Sequence, residues 1–313
     1  MKYAIISDIH GNIDALNAVL KDAEYFNVDK YIFVGDYCTC LPYPNEVINV
    51  IKSLKNALIV LGNEEGRLFD FEKQDQNTWT DGQFQVTYWC CRTIEKENYR
   101  YLESLPKELN FTDDKINISV THSSSDFIGN AEHKEFSSSK VTTKYKKNTP
   151  ISRVAMLNDV REYLNEDAEF NAMNQSLPDG VYIFGHTHVQ WYAQLRNKFY
   201  INPGSCGVPL DGVRGAPYTL LFIENNKVHI TERRVAYDIE GLINRFRNSS
   251  LYEAANIWSN LIISQLSTSF ATVDFFLQFV NEYANNINDP IRPYSCKIWT
   301  EAYKIFQEAN DKT

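Results

Sequence analysis

Seven side chains able to hold a cation stand at five places in the chain: Asp8-x-His10, Gly35-Asp36, Gly62-Asn63, His122, and Gly185-His186-Thr187-His188. Four of the six histidines fall in this set, each at the end of a compact apolar run or just beyond it. Asp8 and His10 alone read equally well as a helix-capping carboxylate and a packed imidazole. In an extended chain their side chains would leave one face, roughly 7 Å apart along the backbone, and could share one ion. The collected set is imidazole, carboxylate and amide, without thiolate. That chemistry suits a pair of Mn, Fe, Zn or similar ions and excludes a structural zinc site of the Cys-rich kind. One carboxylate able to bridge would let two ions act together, and such pairs, about 3.5–4 Å apart, acidify a water and clamp a phosphoryl group during in-line attack.

The elements that must position these residues follow from periodicity. Residues 3–6, 31–34 and 57–61 are continuous apolar runs, as expected of strands covered on both faces. Between them lie two helical patterns. In the first, Ile13, Leu16, Val19, Leu20 and Ala23 share a face after an Asn12 N-cap; in the second, Val47, Ile48 and Ile51 do so from Asn45 onward. Alternation of this kind predicts parallel strands with helices outside, and ligands gathered beyond the carboxyl ends of the strands. Further on, residues 84–105 read as one long aromatic helix stopped by Pro106, and 108–111 with 116–120 as a hairpin around Thr112-Asp113-Asp114-Lys115. Residues 123–149 form a polar stretch of unusual length. Its Lys140, Lys144, Lys146 and Lys147 would either meet outer phosphates or stay solvated. After a helical pattern over 153–174 come short strands at 181–184, around Trp191, and at 199–201, 218–223 and 228–231, with a turn at Asn202-Pro203-Gly204-Ser205.

From about residue 240 the pattern is helical only, which divides the chain into a domain over 1–240 and an extension over 241–313. The extension carries Trp258, Phe270, Phe275, Phe276, Phe279 and Trp299. Helices that apolar must be covered, either as a cap over the first domain's cleft or in a homodimer. A net charge of −9 over 313 residues offers no global basic field, so neither stable nucleic-acid binding nor a membrane partner is expected. No secretory leader or membrane-length apolar run is visible, which predicts a cytoplasmic protein. Six cysteines are too sparse for a disulfide scaffold and are expected reduced. Cys38-x-Cys40 reads either as a soft ligand or redox pair at the site's edge, or as small buried loop residues. Cys90 and Cys91, adjacent in a helix, are not expected to face the core together. His133 and His229 read as surface residues.

In order and type, Asp-x-His, Gly-Asp, Gly-Asn, a later His and Gly-His-x-His resemble the calcineurin-like metallophosphoesterases over roughly residues 1–236. Residues 37–47 with Pro44-Asn45-Glu46, residues 60–65, and Ile201-Asn202-Pro203-Gly204-Ser205 resemble the small prokaryotic phosphodiesterase branch. Gly185-His186, the turn at 202–205 and Arg233-Arg234-Val235-x-Tyr237-Asp238 are similar to asymmetrical diadenosine tetraphosphate hydrolases. The resemblance implies an α/β fold, a four-layer αββα sandwich, here with a helical C-terminal appendage. It further implies that Asp8, His10 and His188 hold one divalent ion (Mn, Fe, Zn or Ni), that Asn63, His122 and His186 hold a second, and that Asp36 bridges them. Asp36, Asn63, His122 and Glu64 become the catalytic candidates, and Arg67, Gly204 and Ser205 the substrate-binding ones. Glu64 departs from the pattern, because many relatives carry His there. A glutamate offers no N–H donor and protonates a leaving group only if burial raises its pKa. The expectation is therefore hydrolysis of phosphoanhydrides or activated diesters, dinucleoside polyphosphates foremost. Cyclic-nucleotide or other small phosphodiester hydrolysis, and a non-catalytic protein-binding scaffold of the same fold, are the alternatives.

Overall fold

The computed structural model describes residues 1–123 and 153–310. The first half runs β1 (Lys2–Ile6), α1 (Ile13–Tyr25), β2 (Lys30–Phe33), α2 (Pro44–Ser53), β3 (Ala57–Ile59), α3 (Asn63–Glu72), α4 (Gln85–Thr93), α5 (Lys96–Glu103), β4 (Glu108–Asp113) and β5 (Ile116–Thr121). It continues with α6 (Arg153–Glu166), α7 (Ala168–Ser176), β6 (Gly180–Ile183), β7 (Gln190–Leu195), β8 (Lys198–Pro203), β9 (Ala216–Glu224) and β10 (Lys227–Val235). Five helices close the chain: α8 (Ile239–Arg247), α9 (Ser250–Ala254), α10 (Asn256–Thr268), α11 (Thr272–Asn286) and α12 (Cys296–Asn310).

The strands form two five-stranded sheets, ordered β10-β9-β1-β2-β3 and β4-β5-β6-β8-β7. Alternation along the strands shows how the layers stack. Tyr3, Ile5, Ile32 and Val34 meet Ile118, Val120, Val181 and Ile183 in a core between the sheets. Ala4, Ile6 and Phe33 turn the other way, onto α1 and α2. On the outer face of the second sheet, Tyr182, Phe184 and Tyr200 pack beneath Met156, Val160 and Phe170 of α6 and α7. Strands apolar on both faces thus produce the expected four-layer sandwich. The first sheet is mixed rather than parallel throughout. β1 pairs β2, and β2 pairs β3, in parallel. The chain then returns as the β9–β10 hairpin, with β9 antiparallel to β1.

Two expectations are corrected. The helix predicted over 84–105 is broken at Ile94 and Glu95, whose extended backbone separates α4 from α5. Cys90 and Cys91 are both buried, as is every residue from Val86 to Cys91. α4 is enclosed on more than one side, because the C-terminal helices cover the face that the rest of the domain does not: Trp89 Nε1 donates to Ser250 Oγ at 3.1 Å. All six cysteines are unpaired. His229 is exposed, whereas His133 and the lysines at 140–147 lie outside the described residues.

The helical extension packs on the first domain. Leu242, Phe246, Leu251 and Ile262 join the same core as α1 and α2. Phe276, Val280, Trp299 and Phe306 build a second core among α10, α11 and α12. No helix among the described residues is long and apolar enough to cross a membrane.

Candidate metal centre

The loops that follow β1, β2, β3, β5 and β6 meet at one edge of the sandwich. The first two are zipped together by their backbones, Asp8 N–H to Gly35 O at 3.0 Å, His10 N–H to Asp36 O at 2.9 Å and Gly11 N–H to Tyr37 O at 2.9 Å. Neither loop continues its strand. Asp8, His10 and Asp36 have φ of 52°, 53° and 56°, and His186 and His188 have 71° and 60°. Five of the seven predicted donors therefore sit in the left-handed region, which costs a residue with a Cβ about 1 kcal/mol or more. The condition of an extended Asp8-Ile9-His10 segment is not met: the chain turns at both residues. Gly35 and Gly62 let the loops touch. A Cβ on Gly35, at φ 94°, would lie 2.6 Å from His122 Nδ1, and one on Gly62 would lie 2.1 Å from Asp36 Oδ1.

A residue that sequence reasoning passed over holds this edge. Glu65 is fully buried. Its carboxylate accepts from the backbone N–H groups of Asp36 (3.0 Å), Tyr37 (2.8 Å) and Gly62 (3.0 Å), and from the Cys38 thiol at 3.2 Å. The signal was present in the chain: an acidic residue three positions after Gly62, at N3 of α3, is the spacing of a capping box. Asn202 does similar work for the last loop. Its Nδ2 donates to Gly185 O and Thr187 Oγ1, both at 2.9 Å, and its Oδ1 accepts from Gly204 N–H at 3.0 Å.

Two clusters result. Ligand atoms of Asp8, His10 and His188 lie within 4.8 Å of one another, and so do those of Asp36, His122 and His186. Asp36 faces both: its Oδ2 is 3.8 Å from His10 Nε2 and 3.3 Å from His122 Nε2, while its Oδ1 accepts from Glu64 N–H. Asn63 Oδ1 is 2.9 Å from His122 Nε2 and 2.7 Å from His186 Nδ1.

These groups fit metal ions. His122 Nδ1 lies 2.6 Å from Val34 O, and His188 Nδ1 lies 2.9 Å from Val208 O. A carbonyl only accepts, so each Nδ1 carries a proton, and Nε2 is the atom each ring would offer to an ion once its own proton leaves. Asp8 is wholly buried, and its Oδ1 makes no well-aligned hydrogen bond, with only the Nε2 atoms of His188 at 3.3 Å and His10 at 3.9 Å beside it. A buried carboxylate oxygen without such a bond is costly unless a cation takes it up. Electrostatics divide the imidazoles. Burial, with His188 close by, drives His10 down to about 4, so it is neutral at pH 7. Burial opposes a charge on His122 too, but the Asp36 and Asp8 carboxylates outweigh it and raise that imidazole to about 10. The carboxyl of Asp36 is held well below the usual range, burial being overcome by His122 and His10. Asp8 is likewise lowered, His188 overcoming burial.

The remaining candidates separate cleanly. Glu64 and Arg67 line the cavity into which the clusters open, of about 500 Å³, and they form an ion pair with each other. Glu64 Oε1 also accepts from Asn63 Nδ2 at 3.0 Å, which turns the Asn63 oxygen toward the histidines. Burial, reinforced by Asp36 and Glu65 and opposed by Arg67, pushes the Glu64 carboxyl up to about 7. Gly204 and Ser205 are buried and absent from the cavity lining. The Ser205 hydroxyl donates to Asp8 O at 2.7 Å and accepts from Val208 N–H at 2.8 Å, so both residues support the Asp8 loop instead of facing solvent. Cys40 lines the cavity but Cys38 lies beneath it. A hydrogen bond with Cys90 and burial push the Cys38 thiol well up, and burial does the same for Cys40, so neither is a thiolate. The cavity is lined, too, by Trp258, Ile262, Gln265 and Leu277 of the extension, for which the chain held no local signal.

Comparison with known proteins agrees with this construction. An uncharacterized protein of Methanocaldococcus jannaschii, MJ0912, is 29% identical over 253 residues, covering 76% of this chain and 88% of that protein. A metallophosphoesterase from Sphaerobacter thermophilus superposes with a TM-score of 0.58 at 24% identity, over 86% of this chain and 99% of the other. The hypothetical protein PH1004 from Pyrococcus horikoshii OT3 shares the fold with a TM-score of 0.54 at 20% identity, over 82% and 97% of the two chains. The family model for the calcineurin-like phosphoesterase superfamily domain matches residues 1–226, and the chain belongs to that superfamily.

Proposed function

We propose that this protein hydrolyses small phosphodiesters or phosphoanhydrides with two divalent ions, Asp8, His10 and His188 holding one, Asn63, His122 and His186 the other, and Asp36 shared between them. The observation that carries the reading is Asp36 Oδ2 lying between the two clusters, within 4 Å of an imidazole from each. Bound ions supply Lewis acidity for a water and charge neutralisation for the phosphoryl group. The chain's own part is to hold its donors. Val34 O and Val208 O keep the His122 and His188 Nε2 atoms inward, and Glu64 keeps the Asn63 oxygen there. Arg67 stands in the same cavity as the cation nearest to hand for a phosphate.

Glu64 bears on the leaving group. Its Oε1 is engaged by Asn63 Nδ2 and Arg67, so above about pH 7, where the carboxyl is ionised, it orients those residues and has no proton to donate. Substrates with good leaving groups are therefore favoured, and among them dinucleoside polyphosphates are the leading proposal, over alkyl monoesters. Rates across aryl phosphates should fall as the leaving-group pKa rises; a flat series would refute this. The ions are Mn, Fe, Zn or Ni, the protein is cytoplasmic, and it works without nucleic acid or membrane as partner. A homodimer through the C-terminal helices is part of the reading: Phe276 and Trp299 are buried in their own chain, while Trp258, Phe270, Phe275 and Phe279 are half-buried. The test of the whole reading is metal analysis of purified protein together with Mn-dependent turnover of bis-p-nitrophenyl phosphate. A chain without bound metal and without turnover would overturn it.

A further inference from the structure

The cavity shared by the two clusters has a second character. At about 500 Å³ it is far larger than a phosphate needs and is in the range of sites that enclose a whole small molecule. One side of its lining comes from α10, α11 and the turn between them, which lie beyond the residues matched by the family model. Ile262, Ala271, Val273 and Leu277 make that wall apolar. Two polar side chains interrupt it, Asp274, which is engaged in an interaction of its own, and Gln265. Gln265 is 4% exposed, and its Oε1 is buried with no hydrogen-bond partner. Its carboxamide makes no side-chain hydrogen bond among the described residues, while its backbone carbonyl caps the helix through Ser269 N–H. An amide buried without partners is penalised, so its place beside the apolar side chains of the lining marks a bond left for a ligand.

We propose that α10 and α11 are the recognition wall for the part of the substrate that is not hydrolysed. The group they take is flat, apolar and aromatic, with an N–H donor on its edge. Its face lies on Ile262, Val273 and Leu277, and its donor reaches Gln265, while its phosphoryl end reaches the clusters. This rests on the phosphohydrolase reading and adds to it the class of substituent.

Three non-hydrolysable probes separate the contributions: methylphosphonate, benzylphosphonate and 4-aminobenzylphosphonate, titrated calorimetrically into the full-length, Mn-loaded protein. Benzylphosphonate should bind at least tenfold more tightly than methylphosphonate, and the amino group should add several-fold. Leu277→Ala should shrink the benzyl preference. Gln265→Leu, which removes a buried unpaired amide and should fold normally, should abolish only the amino gain. Methylphosphonate affinity should be the same in all three proteins. Equal binding of the probes to the unsubstituted protein, failure of all three to bind, or preferences untouched by both substitutions would overturn the inference. Turnover of bis-p-nitrophenyl phosphate is scored separately. If it fails while the probe order holds, the hydrolytic reading falls and the wall stands.

Discussion

The metal-facing edge and the helical wall border one cavity and are built on opposite principles. At the edge, backbone does the positioning. Asp8, His10, Asp36, His186 and His188 are held at positive φ, the loops are hydrogen-bonded to one another, and a buried carboxylate ties them. At the wall the backbone is ordinary helix, and side chains do the work, with Trp258 of the lining packed on Trp299 and Phe276 behind it. The difference follows from tolerance. Ligand atoms must meet an ion to within a few tenths of an ångström, so rotamer freedom alone cannot be trusted with them. A wall that excludes water and matches a shape accepts volume-conserving changes at little cost.

Substitutions should expose that contrast, the largest effects falling at the edge. Asp36→Asn should lower kcat/KM for bis-p-nitrophenyl phosphate on the order of 10³-fold, comparable to loss of a major electrostatic group, with the circular dichroism spectrum unchanged. Glu65→Ala leaves the N–H groups of Asp36, Tyr37 and Gly62 unpaired, and urea unfolding should show a loss of about 4 kcal/mol. Glu64→Ala frees the Asn63 amide and should weaken metal affinity roughly 10–100-fold in a competitive chelator titration, as removal of a ligand's hydrogen-bond partner does.

A subtler test uses pH. In the metal-free protein His122 keeps its proton up to about 10, against an ordinary value of 6.5, chiefly because Asp36 outweighs the effect of burial. Its contribution to stability is therefore full below the ordinary value and is lost as pH rises toward 10. An ion on Nε2 must displace that proton, so affinity should climb about tenfold per pH unit between 7 and 9. Calorimetry in buffers of different ionisation enthalpy would count the released proton; no release would remove His122 from the ligand set. The smallest effect belongs to the wall and has the opposite sign. Gln265→Leu should raise stability by about 1 kcal/mol, because an unpaired buried amide disappears.

The sequence by itself determined the donors and their whereabouts. Apolar runs of strand length ending in Asp, Asn or His, with helical periodicity between them, are short-range patterns, and they place seven donors at strand ends whatever the remaining chain does. That reasoning extended to the αββα layers, since strands apolar on both faces demand cover on both. Only the tertiary structure decided the rest, because each remaining feature joins residues distant in the chain. Glu65 reaches back 29 positions to Asp36 N–H. Val34 O sets the proton of His122 from 88 positions away. Cys90 and Cys91 are buried together because helices some 160 residues later close over α4. Those helices also turned a tail that read equally as cap or dimer interface into one side of the cavity, since nothing in a local pattern specifies which face of the domain an apolar helix will cover.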